Sequence, residues 1–374
     1  MPSVSQIKND RRFHAPDYII MIILIIIVVF GIIMLSSAST VMGYERFGDS
    51  NYYIKHQLLY GVLLGAIGFF LASRLDYHLW QKIALPLLVI TIGLLLVVFI
   101  PGIGLGLKGA NRWINLGELT FQPAEVAKLT FLFYLATWLQ KRGEGLKSFS
   151  YGFLPFLVLL IVISGLILAE PDFSTMLVLA FMSVTVFFIA GANLVHVGWL
   201  GAVSAGLFLL LIKIAPYRAA RFTVFLHPEI DPQGIGYHIN QALLAIGSGG
   251  LFGLGLGHSR QKFNYLPEAA GDSIFAVIAE ELGFIFCLVL IALFIALMIR
   301  GFKIARRAPD LFGKYVAVGI ITWISFQAFF NIASMVGLIP LTGIPLPFIS
   351  HGSTAILTSL TAIGVLVNIS KQTR

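Results

Sequence analysis

The sequence predicts an all-α polytopic membrane protein, with ten transmembrane helices and a large extracytoplasmic loop between the seventh and eighth. Two observations carry this. The 374 residues are 58% apolar and only 11% charged, against roughly a quarter charged in soluble domains. Apolar runs of about 20 residues, the length a helix needs to cross a bilayer, recur along the whole chain. The runs are continuous and do not alternate, which excludes a transmembrane β-barrel.

The first span covers about 18–37 and follows a polar tail carrying Lys8, Arg11 and Arg12. It is long and lacks a small-residue cleavage site, so it reads as a span and not a signal peptide. Spans near 56–73 and 83–100 follow. Segment 101–122 is an irregular outer loop, rich in glycine around Lys108, Arg112 and Trp113. The fourth span, 123–140, opens on Pro123, a permitted early helix position. Spans 152–169, 173–190 and 194–215 come next, with Asp172 placed to cap the sixth. The second irregular loop, 216–272, is far longer than a connector needs. Within it Ile239, Leu243 and Ile246 mark one side of a short interfacial helix over 237–246, closed by Gly247. Glycines from 247 to 257 then permit close backbone approach. Spans 273–299, 315–337 and 351–369 complete the chain. Short connections pack everything into one domain over 1–374, with a cytoplasmic tail at 1–17 and the outer loop at 216–272.

Lysine and arginine orient the bundle. With both ends cytoplasmic, most of them face inward, including the cluster from Arg300 to Lys314. The net charge of +8 follows from this bias and favours anionic lipid. No basic patch accompanies a soluble domain, so nucleic-acid binding is disfavoured. Cys287 lies mid-span as a small packed hydrophobe. His196, His227, His238 and His258 lack the spacing of a zinc site.

The outer cations run against the orienting bias. Lys108, Arg112, Arg218, Arg221, Arg260 and Lys262 concentrate on the two irregular loops, where they suit a phosphate or pyrophosphate head group. Asp272 falls where water gives way to hydrocarbon, a position whose desolvation raises a carboxylate's pKa toward neutrality. Glu268, four residues earlier, is its companion as second acid or metal ligand. Glu125 and Lys128 share a helix face and can pair, as a structural bridge, as a polar floor beneath an outer pocket, or as a coupling-ion or proton site of the kind transporters use. Glu280 and Glu281 lie about 12 Å along the helix from Asp272, one set to bind a neighbouring helix and the other to face the cavity. Ser350 and His351 bend the chain into the last span and can also hydrogen-bond a ligand.

The chain resembles the SEDS family (shape, elongation, division and sporulation), to which FtsW and RodA belong. The resemblance rests on 108–117 (KGANRWINLG), 121–128 (FQPAEVAK), 171–175 (PDFST) and 255–283 (GLGHSRQKFNYLPEAAGDSIFAVIAEELG). It spans essentially the whole sequence and leans toward the FtsW branch at 109–113 and 363–370. One departure is the turn Ser350-His351-Gly352-Ser353, where family members commonly carry Ser-Tyr-Gly-Gly.

The resemblance implies a peptidoglycan glycosyltransferase that polymerises lipid II at the outer membrane face, with a single-pass class B penicillin-binding protein as partner. It places the essential aspartate on Asp272 and the motif glutamate, lysine and arginine on Glu125, Lys128 and Arg112. Asp272 then serves as general base or as metal ligand. Arg218, Arg221, Lys262, Glu268 and Ser350 complete the expected substrate site. The departing pyrophosphate calls for cationic side chains or a divalent cation, Mg²⁺ or Mn²⁺. Two other readings compete: a lipid II flippase, and a non-catalytic scaffold for the penicillin-binding protein.

Overall fold

The computed structural model describes residues 14–107, 110–117, 119–214, 223–225, 230–231, 234 and 236–373. It is a helical bundle whose exposed apolar residues form lipid-facing flanks. Helix α1 (Tyr18–Phe47) shows the pattern: Ile20, Ile27 and Met34 are buried, while Ile22, Ile25 and Val29 point outward. In water such a surface would aggregate, whereas in a bilayer it is the required exterior.

The helices follow in order as α2 (Tyr52–Arg74), α3 (His78–Lys82), α4 (Ala84–Val97), α5 (Pro123–Arg142), α6 (Phe149–Ala169), α7 (Phe173–Ile189) and α8 (Leu194–Ile214). After the outer segment come α9 (Tyr237–Ser248), α10 (Ile274–Arg307), α11 (Leu311–Met335) and α12 (Ser353–Ser370). Each of the ten expected spans falls on one of these helices. Among the described residues, six helices are long and apolar enough to cross a membrane: α1, α2, α6, α10, α11 and α12. The chain is thus a multi-pass membrane protein.

The centre of the bundle belongs to α11 and α12, whose most apolar windows are 78% and 83% buried, against 28–44% for the other four. Close packing there needs small residues. A Cβ on Gly364 of α12 would lie 2.8 Å from Phe69 Cα of α2, well inside van der Waals contact. The first and last described segments meet at one end of the bundle, where His14 N–H donates to Lys371 O at 2.8 Å.

Segment 101–122 corrects the expectation of an irregular loop. It folds as an antiparallel sheet of β1 (Gly104–Leu107), β2 (Ala110–Leu116) and β3 (Leu119–Phe121), in the order β1-β2-β3. Leu105 pairs with Trp113 and Gly106 with Asn111, so Arg112 is the extra residue of a bulge in the middle of β2, outside the paired register. The glycine density that suggested irregularity belongs to the edge strand and its turns.

The expected interfacial helix is α9, but its buried face is rotated. Ile239, Ala242 and Ala245 are buried and Leu243 is exposed, because the helix lies against α10 and small residues allow the approach. Helix α10 is broken at Gly283 (φ 78°, ψ −177°), a conformation that L side chains rarely adopt. The freed carbonyls of Glu280 and Glu281 accept from Leu254 N and Gly255 N, both at 2.9 Å, and Phe284 N donates to Gly250 O. The glycine-rich stretch therefore completes the backbone hydrogen bonding of a discontinuous helix at the membrane edge.

Candidate functional site

Asp272 lies in the tight turns that lead into α10, and its position is fixed mainly through the backbone. Its carbonyl accepts from Asn331 Nδ2 of α11 at 2.7 Å, and the same amide donates to Ile344 O at 2.7 Å. The neighbouring Gly271 carbonyl accepts from Ser350 Oγ at 2.7 Å, and Ala270 O accepts from His351 N–H at 2.8 Å. Ser273 Oγ donates to Pro267 O and contacts His238 Nε2 of α9 at 2.6 Å. Four elements thus converge on two turns of chain, leaving the half-buried Asp272 carboxylate facing a cavity. Gly343 flanks it at φ 69°, where an added Cβ would sit 3.6 Å from Oδ2.

The cavity, about 320 Å³, is lined by Arg112, Trp113, Gln122, Glu125, Lys128, Asp172, Glu268, Asp272, Gln327 and His351 among others. Beneath it the Lys128 ammonium is buried, 2.9 Å from Glu125 Oε1 and 3.2 Å from Gln327 Oε1, and 4.6 Å from the Trp323 ring centroid. A charge this deep is tolerable only with such partners. The structural pair and the polar floor are therefore the same object. Asp172 caps α7 as expected, accepting from Thr175 N at 3.0 Å, and also receives Gln122 Nε2 at 3.0 Å. Arg112 reaches over the cavity from β2 and donates to the carbonyls of Glu170 and Pro171. Glu170 itself is fully buried, and neither carboxylate oxygen has a hydrogen-bond partner among the described residues. Desolvation, helped by the Asp172 charge and opposed by Arg112, pushes its pKa up to about 8. His351 Nε2 is buried beside the cavity and has no hydrogen-bond partner among the described residues.

The structure brings together Arg112, Glu125, Lys128, Glu268 and Asp272 from the expected set. Arg218, Arg221 and Lys108 lie outside the described residues. Lys262 corrects its expected place: it is buried, bonded to Glu281 Oε1 at 2.8 Å, Ser37 Oγ at 2.9 Å and Gly257 O at 2.7 Å. It borders a different groove, against α1, and its charge neutralises a buried glutamate. Neither Glu280 nor Glu281 faces the Asp272 cavity. Glu280 accepts from Ser259 Oγ at 2.5 Å and Arg260 N at 2.9 Å, and Glu281 from Ser37 Oγ and Lys262. Ser350 holds the turn and is not on the cavity wall, since Leu346 N–H donates to its oxygen while it donates to Gly271 O.

Sequence reasoning missed Gln327 and Asn331. Both are polar residues four apart in an apolar span, a spacing that already marks one functional face.

Among the described residues no cluster of three or more His, Cys, Asp or Glu could hold a metal alone. Glu268 and Asp272 nevertheless present carboxylates to one cavity. One or two carboxylates plus substrate phosphates is how Mg²⁺ is usually held, so the donor set fits a cation shared with a phosphorylated ligand.

Fold and site together define a polytopic membrane protein with a charged cavity at the end of the bundle opposite its termini. The family profile described as "Cell cycle protein", covering FtsW, RodA and SpoVE, matches residues 17–374, and the chain belongs to this family. A Trichlorobacter lovleyi protein named "Probable peptidoglycan glycosyltransferase FtsW" is 42% identical over 354 residues, covering 95% of this chain and 93% of that one. Stage V sporulation protein E of Bacillus subtilis is also 42% identical, over 96% of this chain and 98% of its own. Among solved structures, a chain from work on how a peptidoglycan synthase complex coordinates polymerization and crosslinking superposes with a TM-score of 0.78 at 26% identity, covering 95% of this chain and 98% of that chain. RodA of Thermus thermophilus gives 0.70 at 28% identity, with 95% and 97% covered.

Proposed function

We propose that this protein is a peptidoglycan glycosyltransferase that polymerises lipid II at the outer face of the cytoplasmic membrane, with Asp272 at the reacting centre. The observation that carries the reading is the shared cavity: Asp272 and Glu268 on one wall, Arg112 above and Lys128 below, with the Asp272 main chain pinned by Asn331. The acceptor sugar hydroxyl loses its proton to the Asp272 carboxylate as its oxygen attacks the anomeric carbon of the donor. The bond from that carbon to the pyrophosphate oxygen breaks, and undecaprenyl pyrophosphate departs with the electron pair. Arg112 and Lys128 oppose the negative charge that grows there. Glu268, joined by Asp272 if that carboxylate serves as ligand instead of base, would hold a divalent cation, which when bound neutralises further charge on the pyrophosphate. The lipid-facing helices accommodate the prenyl chains, and the complex named for the similar structure supports a class B penicillin-binding protein as partner.

The test is chain synthesis by purified protein, with and without that partner, from lipid II and Mn²⁺, with glycan products resolved on a gel. Wild type should yield polymer, and Asp272→Ala should yield none while still binding the precursor. Polymer from Asp272→Ala would sink the assignment. Precursor scrambling by Asp272→Asn in proteoliposomes, without polymer from wild type, would favour a flippase.

A further inference from the structure

The end of the bundle opposite the Asp272 cavity holds a second charged cavity, about 350 Å³, lined by Asp17, Tyr18, Arg300, Lys303, Arg307 and Ser370 among others. Three chain segments build it. Asp17 caps α1 by accepting from Ile20 N at 3.2 Å, and its own N–H donates to Ser370 Oγ of α12 at 3.1 Å. Its second carboxylate oxygen takes Arg300 Nη2 of α10 at 2.7 Å. That contact uses one arm of the guanidinium, and Arg300 Nε is buried with no hydrogen-bond partner among the described residues. Lys303 and Arg307, one and two turns further along the same face, have no carboxylate partner among the described residues. Three other cations at this end are engaged elsewhere: Lys371 donates to Ser73 O, Arg74 covers the Phe70 ring and Arg142 the Trp138 ring. The lining therefore carries three cations against one carboxylate, around a space open to a ligand.

We propose that this cavity binds the phosphate of an anionic phospholipid. A guanidinium beside two exposed cations, with no carboxylate partner for those two among the described residues, is chemistry that recognises phosphate oxygens. A lipid is the source the surroundings favour. The cavity opens where the exposed apolar faces of α1 and α10 begin, at Ile19 and Ile22 on one side and Ile299 and Phe302 on the other. Acyl chains can continue along those faces, so a lipid gains apolar contact that free phosphate lacks, although the polar contacts would suit either.

Native mass spectrometry of the full chain, titrated with phosphatidylglycerol or phosphatidylcholine of identical acyl chains, separates the cases. Two surface cations near anionic lipid should give a preference of about ten-fold or more for phosphatidylglycerol. Lys303→Gln with Arg307→Gln should abolish most of it. Lys141→Gln with Lys147→Gln, exposed at the same end but outside the cavity, should leave it intact. A parallel titration with inorganic phosphate identifies the source. Retention of phosphatidylglycerol in its presence supports the lipid, whereas displacement at millimolar phosphate overturns the lipid in favour of a soluble anion. Equal binding of the two lipids, or an equal loss in the control pair, overturns the site itself.

Discussion

Asn331 has no direct part in the proposed chemistry, yet its amide donates to both Asp272 O and Ile344 O from a fully buried position. Asn331→Ala would leave two buried carbonyls unsatisfied, at a cost on the order of 1–3 kcal/mol. It would also free the turn that aims Asp272. Because misplacement by about 1 Å can cost on the order of a hundred-fold, polymerisation should drop at least ten-fold while precursor affinity is kept. An unchanged rate measured at saturating lipid II would rule out this positioning role. Glu170 offers a prediction that depends on pH. Its folded pKa of about 8 exceeds the unfolded value near 4.5, so the folded chain holds a proton that the unfolded chain releases. Stability is therefore full below about 4.5 and declines as pH rises toward 8. Glu170→Gln keeps the neutral state at every pH and should melt higher than wild type at pH 8 by roughly 1–3 kcal/mol of stability, with no gain at pH 5. Melting curves at both pH values decide it, and a gain of equal size at pH 5 would show that the proton is irrelevant.

At the scale of elements, continuous apolar runs located the helices of all ten expected spans but not the short α3, since crossing a bilayer leaves hydrophobicity little freedom while a five-residue polar helix carries no such signal. The acids that open spans were legible for the same reason: Glu125 with Lys128, and Asp172 as a cap, stand out against hydrocarbon. What the sequence concealed was the pairing between distant segments. Nothing local shows that Lys262 turns inward to Glu281 across 19 positions, or that glycines 249–255 dock on the break at Gly283. Charge alone placed Lys262 with the phosphate-binding cations, whereas a buried glutamate had the stronger claim on it. Lys262→Met should accordingly destabilise the fold by about 3–5 kcal/mol, because Glu281 would remain as a buried charge without its counterion. Adding Glu281→Leu should recover most of that loss. Thermal unfolding of the single and double variants measures the coupling. A Lys262→Met protein that melts like wild type but binds lipid II poorly would return this lysine to the substrate site.

For the whole molecule, the two charged cavities lie at opposite ends of α10, one beside its first residues and one beside Arg300, Lys303 and Arg307. A helix of 34 residues rises about 50 Å if straight, more than the thickness of a hydrocarbon core, so the cavities face different aqueous sides despite the break at Gly283. The first and last described segments lie with the basic cavity, as the contact between His14 and Lys371 requires. The excess of lysine and arginine at that end predicts that it is cytoplasmic, which places Asp272 outside, on the side where wall polymer is assembled. Single-cysteine labelling tests the orientation directly. With Cys287 replaced by alanine, Asn115→Cys on the exposed part of β2 should react with a membrane-impermeant maleimide in intact cells. Thr373→Cys, beside the basic cavity, should react only after permeabilisation. The reverse pattern would put Asp272 in the cytoplasm, where it could not meet lipid II presented at the outer face, and polymerisation there would have to be given up.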